Sequence, residues 1–582
     1  MSNEPATTSS PEHAGVLKLP SDTADGRARE AALQASNVRV LQSTSLVAYR
    51  SSGSLLIIDE FKLVGDEERP IRLAEQLSSE LRCTVLIGGI EPGSTQLLVN
   101  KKASKYTLAT GRLAQLSGHL GQFTALLDTP DGEVNLARHL HTGRGHFDLV
   151  LDLTQPPYLR HDTLPLGYYA PRGDPQALAR MLKELPEMVG EFEKPKFFRY
   201  DPDICAHGNS GLHGCTRCLD ACPTNAISSA GDKIEVDAYL CQGGGSCATV
   251  CPSGAITYVY PAVSDLLEAV RTMLTAYRDA AGQHPTLLFH DAAAGRDHVA
   301  RLAARLPENF IPIEIEEVGA VGMDTWLAAL AYGASHVVLL AAPTVAPSVL
   351  GALRVQLEYA GAILAGMGHS PERLQLIMTD GDAVTLEALQ ALTPQSTLPP
   401  AGFAAFDEKR TTIRLAVDHL YAQAPAPRPT AALPVGAPFG AIEVNRTTCT
   451  LCMACVSVCP ASALSDAGDQ PQLLFTEWNC VQCGLCETAC PEDAISLAPR
   501  FMYDAEERLR MQTLNEEEPF CCVVCGKPFA TQSMMKRMQE KLKGHWMFQE
   551  GNALRRLQMC EDCRVKDMFQ HDHKGIDVHK RS

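Results

Sequence analysis

The chain has 582 residues, too many for one ordinary hydrophobic core, and its 45% hydrophobic and 20% charged content is that of a soluble globular protein. A formal net charge of −17 argues against nucleic-acid binding and favours docking on basic patches of partner proteins. No apolar run reaches the ~18 residues that a membrane-spanning helix needs, so an integral membrane protein is not expected.

In chain order, residues 1–36 are rich in Ser, Thr, Pro and Ala and show no basic-then-apolar signal layout, so they are expected to be a disordered leader. Residues 37–195 alternate short apolar runs with amphipathic ones, as an α/β domain with a helical connector would. Strands are expected at 54–59, 84–88 and 147–153, and helices at 70–82 and 175–191. Cys83, alone in this region, reads as a buried core residue. A cysteine-rich module occupies 196–260. The cysteine-free stretch 261–420 predicts strands at 286–290, 311–316, 336–341 and 374–379 separated by helices, hence an open, mainly parallel sheet. Residues 421–439, Ala- and Pro-rich, read as a semi-stiff linker. A second cysteine-rich module covers 440–500, and a charged tail with the last five cysteines runs from 501 to 582.

The second module reads Cys449-x2-Cys452-x2-Cys455-x3-Cys459-Pro460, then Cys480-x2-Cys483-x2-Cys486-x3-Cys490-Pro491. Three thiolates on a tight loop reach three irons of one cubane, and the next step throws the fourth sulfur toward a second cubane. Cluster C is therefore expected on Cys449, Cys452, Cys455 and Cys490, and cluster D on Cys459, Cys480, Cys483 and Cys486. In the first module the same frame gives cluster A to Cys205, Cys215, Cys218 and Cys251, with the first spacing stretched to nine residues that include His207 and His213. Those histidines read as surface-loop residues, with imidazole ligation as the alternative. Cluster B takes Cys222, Cys241 and Cys247, but Gly244 stands where the second ligand belongs. A [3Fe–4S] cluster, a cubane with one iron open to water or substrate, and a cubane completed by a neighbouring group are the three outcomes. The cofactor count is three to four iron–sulfur clusters, and these metal-like spacings, rather than a secreted disulfide framework, point to the cytoplasm.

The four Cys-Pro-x-x-Ala-Ile/Leu phrases, at 222–227, 251–256, 459–464 and 490–495, resemble those of bacterial polyferredoxins. The segment 205–227 (CAHGNSGLHGCTRCLDACPTNAI) is similar to large 4Fe–4S binding proteins found with formate dehydrogenases, which implies such an enzyme as a partner. The segment 311–340 resembles the delta subunit of hydrogenase and heterodisulfide reductase complexes, which implies a hydrogenase-type partner; Val318-Gly319-Ala320 and Ala341-Ala342 stand where that family carries cysteines.

In the tail, Cys522-x2-Cys525 and Cys560-x2-Cys563 form two thiolate pairs, the pattern of a structural Zn site, with Gly526 allowing the turn beneath the first pair and Thr531 capping a helix to Leu542. A fifth iron–sulfur site and free thiols are the alternatives, and Cys521 competes with Cys522. His571, His573 and His579 read as a solvated end. The fold class expected is multidomain α/β plus α+β: two dicluster ferredoxin-type modules, open α/β domains and a zinc-ribbon-like tail. The function expected is relay of single electrons between redox enzymes. A catalytic subunit using cluster B, and an assembly or redox-sensing factor, are the other readings. No separate catalytic motif is present.

Overall fold

A computed structural model describes residues 19–35, 45–60, 68–88, 98–103, 105–140, 144–468, 470–545, 548 and 553–572. In the N-terminal domain, the apolar runs Ser54–Glu60, Arg82–Gly88 and Leu149–Asp152 form neighbouring parallel strands. They lie within a six-stranded sheet in which only Leu98–Ala103 runs antiparallel. Their near-continuous Val, Ile and Leu content is what burial on both faces requires, and Leu55, Leu56 and Ile57 are fully buried. Cys83 is buried in this core with its thiol pushed up to about 11 by burial. The helix expected at 175–191 stops at Glu184; Gly190–Pro195 is instead a strand that pairs antiparallel with Leu46–Ser51.

The central domain holds a four-stranded all-parallel sheet in the order Phe310–Ile315, Thr286–Asp291, His336–Ala341, Leu374–Met378. The chain leaves Thr286–Asp291 to one side and returns to the other, so a topological switch point lies between the carboxyl ends of Thr286–Asp291 and His336–Ala341. The short turn Val318–Ala320 sits against both of those strands there. Helix Met323–Ala331 is buried throughout, with Trp326 at its centre.

Two expectations are corrected. Part of the supposed leader is folded: helix Ala24–Ala35 packs on Val263–Asp279 in the central domain. Ala28 and Ala32 let the helices approach closely, and Asp25 accepts hydrogen bonds from Tyr277 Oη (2.9 Å) and Gln283 N (2.5 Å). Residues 1–18 lie outside the described residues. Nor is 421–439 a free linker. Thr430–Ala432 pairs with Arg500–Met502, and Ala431, Leu433, Ala437 and Phe439 are buried in the central core. Its small apolar residues are packing material, which composition alone does not distinguish from a spacer.

Candidate iron–sulfur sites

Each cysteine-rich module is small, with short antiparallel strands that tie its two ends together. Phe198–Tyr200 pairs with Ile256–Tyr258 in the first module, and Gly440–Val444 with Ile495–Pro499 in the second. Between these ties the ligand loops follow one backbone plan. Left-handed residues flank the middle position of three loops: Leu451 and Met453 around Cys452, Gln482 and Gly484 around Cys483, Gly243 and Gly245 around Gly244. Gly244 thus occupies the same backbone slot as the two cysteines, one residue from each left-handed neighbour.

The Cys-Pro phrases repeat a second device. Asn225, Ser462 and Asp493 all have positive φ, which turns the next amide back onto the cysteine. The N–H groups of Ala226, Ala463 and Ala494 each donate to the sulfur of Cys222, Cys459 and Cys490 at 3.3 Å. Such N–H···S bonds stabilise thiolate and help set cluster potential. The fourth phrase differs: Ser253 intervenes, taking the Ala255 N–H at 3.3 Å and lying 3.8 Å from the sulfur of Cys251.

The structure brings the thiols together in four groups. Cys205, Cys215, Cys218 and Cys251 line one cavity with Tyr200 and Ile234. Burial, then Cys251, Cys215 and Cys205, push the Cys218 thiol upward. Cys247 is driven up by burial and by Cys241 and Cys222. Cys455 is pushed up to about 12 by burial and by its neighbours Cys449, Cys452 and Cys490, and the Cys486 thiol is raised by burial and by Cys480, Cys483 and Cys459. Thiols so crowded resist ionising side by side, and iron cations supply the charge that lets them bind as thiolates. Of these cysteines, Cys452 alone is exposed.

The stretched loop of the first group is a β-hairpin. Gly208–Asn209 pairs with Leu212–His213 around a turn at Ser210 and Gly211, and Cys215 N donates to Ala206 O at 2.9 Å. The hairpin returns the chain, so Cys205 and Cys215 come side by side despite nine intervening residues. His207 is buried with both ring nitrogens engaged, Nδ1 at 2.9 Å from Cys215 O and Nε2 at 2.8 Å from Ser229 Oγ; His213 is exposed. Here His207 braces the hairpin.

Gly244 faces the central domain. A Cβ there would come 3.1 Å from Pro223 Cγ and 3.9 Å from Val349 Cγ2, and one on Gly245 would meet Ala320 Cα at 2.4 Å. Thr249 Oγ1 donates to Gly319 O at 2.7 Å. The first module therefore seats its Gly244 loop on the turn at the central sheet's switch point.

Residues 448–495 and 213–255 each match the family described as the 4Fe-4S dicluster domain. Both cysteine-rich modules are thus similar to iron–sulfur domains. A stretch of 56 residues is 49% identical to hydrogenase-4 component A of Escherichia coli (strain K12). That stretch is 10% of this chain and 25% of the relative, so the chain spans about a quarter of the length of the curated relative it matches. Among the described residues, no helix is long and apolar enough to cross a membrane.

In the tail, the sulfurs of Cys522, Cys525, Cys560 and Cys563 all lie within 4.8 Å of one another, with Cys525 and Cys560 at 3.6 Å. Four thiolates ~2.3 Å from one zinc sit at the corners of a tetrahedron of edge roughly 3.8 Å; a cubane would hold them further apart. Cys521 points elsewhere and is exposed. Gly526, at φ 77°, donates its N–H to Cys522 O at 2.9 Å and closes the knuckle. Burial opposes a thiolate at Cys522, but backbone N–H groups of Cys525, Cys560 and Val524 outweigh it and bring the thiol down to about 6. Thr531 caps helix Gln532–Leu542 as expected. His573 and His579 fall outside the described residues.

The cations between the modules were missed in the sequence. Lys409 and Arg410 sit in a run, Asp407–Arg410, that reads as a solvated helix start, yet both are buried.

Proposed function

We propose that the protein conducts single electrons through four clusters in the spatial order B, A, D, C, between a donor and an acceptor enzyme. The observation that carries this is the junction of the two modules. A Cβ on Gly214 would come 2.8 Å from Leu485 Cγ, and Arg217 Nη2 donates to Gln482 O at 3.5 Å. The Cys215 thiol feels Cys483 electrostatically across the same seam. Cys215 belongs to the A set and Cys483 to the D set, so the inner clusters face each other and B and C form the ends.

The ligand sets are those expected from the spacing. Cluster B, with three thiolates, is a [3Fe–4S] centre; the packing of Pro223, Val349 and Ala320 over the Gly244 loop favours this over a substrate-binding open iron. The tail quartet holds structural Zn, supported by its tetrahedral spacing. The likeness to hydrogenase-4 component A supports a hydrogenase-type complex as partner, and the resemblance of 205–227 supports a formate dehydrogenase. The central domain, similar to a hydrogenase delta subunit, braces the modules, and the protein works in the cytoplasm.

Metal analysis of anaerobically purified protein tests the reading. From the ligand count, about 15–16 Fe and one Zn per chain are expected, with an EPR signal of oxidised [3Fe–4S]. A value near 8 Fe removes the first module as a cluster carrier.

A further inference from the structure

Deepening that reading and resting on it, we propose that Lys409 and Arg410, with Arg217, form a buried cationic node between clusters A and D that holds the inner pair in the reduced state. Arg410 is the centre of the node. One guanidinium nitrogen donates to Pro252 O, just past Cys251 of the A set, and to Pro438 O, both at 3.3 Å. The other donates to Cys480 O of the D set at 3.3 Å and to Trp478 O. The guanidinium is also held between the rings of Phe439 and Trp478, 4.8 Å from each centroid. Lys409 Nζ donates to Ala248 O (2.8 Å) and Thr249 O (2.6 Å), at the end of the short helix that leads into Cys251. Arg217, next to Cys218, reaches Gln482 O and leaves its Nη1 buried without a partner.

Among the described residues neither Arg410 nor Arg217 is in an ion pair with a carboxylate, while Lys409 has buried Asp324 as its principal charge partner, ahead of Cys251. Burying an uncompensated cation is costly unless an anion answers it. A [4Fe–4S] cubane on four thiolates is that anion: it is doubly negative when oxidised and gains one more negative charge on reduction. The node's attraction is therefore greater for the reduced clusters, and it raises the midpoint potentials of A and D. Cluster B has a cation of its own, Lys194, whose Nζ donates to Cys241 O at 2.5 Å, and beside the C set Arg537 donates to Thr448 O at 3.4 Å but is paired with Glu492. Because Arg410 belongs to a helix of the central domain and touches both modules, it also keeps the A–D seam closed.

The test is a potentiometric titration followed by EPR on the full-length protein carrying K409Q, R410Q or R410K, with iron measured on each. We expect R410Q and K409Q to keep their iron and to lower the midpoints of the inner clusters, a shift of about 59 mV for each tenfold loss in the reduction equilibrium. The signal of cluster C stays fixed, and R410K, which keeps the charge, stays close to wild type. Unchanged midpoints with iron retained overturn the proposal. So does loss of iron from both Gln variants but not from R410K, which makes the residues structural only. A wild-type protein without four clusters' iron would instead defeat the relay reading.

Discussion

At the scale of single residues, Gly244 is the most consequential position in the first module. Its φ is not of the left-handed kind, unlike that of Gly243 and Gly245, and the space beside it accepts a side chain if Pro223 yields by a few tenths of an ångström. G244C should therefore fold and supply the missing thiolate, converting the oxidised [3Fe–4S] EPR signal into an EPR-silent oxidised cubane with one more iron per chain. Persistence of the [3Fe–4S] signal in a folded G244C protein would sink the assignment of that slot. Trp326 illustrates the opposite limit, a side chain sealed in the core. It is fully buried in the central core, and Trp326→Ala should destabilise that domain by about 3–5 kcal/mol, read as a lowered denaturation midpoint.

At the scale of elements, Gly214 against Leu485 is one of the close approaches at the junction between the modules. G214V would place a branched side chain against Leu485, where even a lone Cβ comes within 2.8 Å. The expected result is slower electron transfer from the first module to the second in freeze-quench EPR, with iron content unchanged; an unaltered rate argues against passage across this seam. The repeated Cys spacings made the two cysteine-rich modules legible in the sequence, because a loop of fixed length leaves its sulfurs few places to go. The four strands of the central sheet were legible too, each as a short apolar run. The hairpin at 208–213 carried a signal, Ser210-Gly211 between short segments, that points to a two-residue turn. What stayed hidden is what long-range packing decides. Ala24–Ala35 finds its partner helix more than two hundred residues downstream. Residues 421–439 look like a spacer until Ala431 and Phe439 find a core to enter. Arg410 looks solvated until two modules close over it.

At the scale of the whole molecule, the tail is tied to the second cysteine-rich module by contact. Thr531 Oγ1 donates to Thr450 O at 2.8 Å, and Arg537 donates to Thr448 O at 3.4 Å and pairs with Glu492, all beside the C set. Removing the Zn proposed for the tail should loosen this contact without emptying the clusters. C560S is expected to lose Zn, keep its iron, and make cluster C more sensitive to oxygen, followed as the rate at which its EPR signal decays in air. Equal decay in C560S and wild type would detach the tail from any protective role. The seat of the first module on the central sheet has a consequence for biogenesis. The crevice at the switch point, where open α/β sheets generally receive a soluble ligand, is stoppered here by the chain's own Gly244 loop. The sheet and the first module thus pack directly on each other. A nascent chain whose central domain has not folded has neither that seat nor the helix bearing Arg410, so its two modules would ripen as separate, unconnected batteries. On the proposed relay, conduction would begin only once that fold is complete.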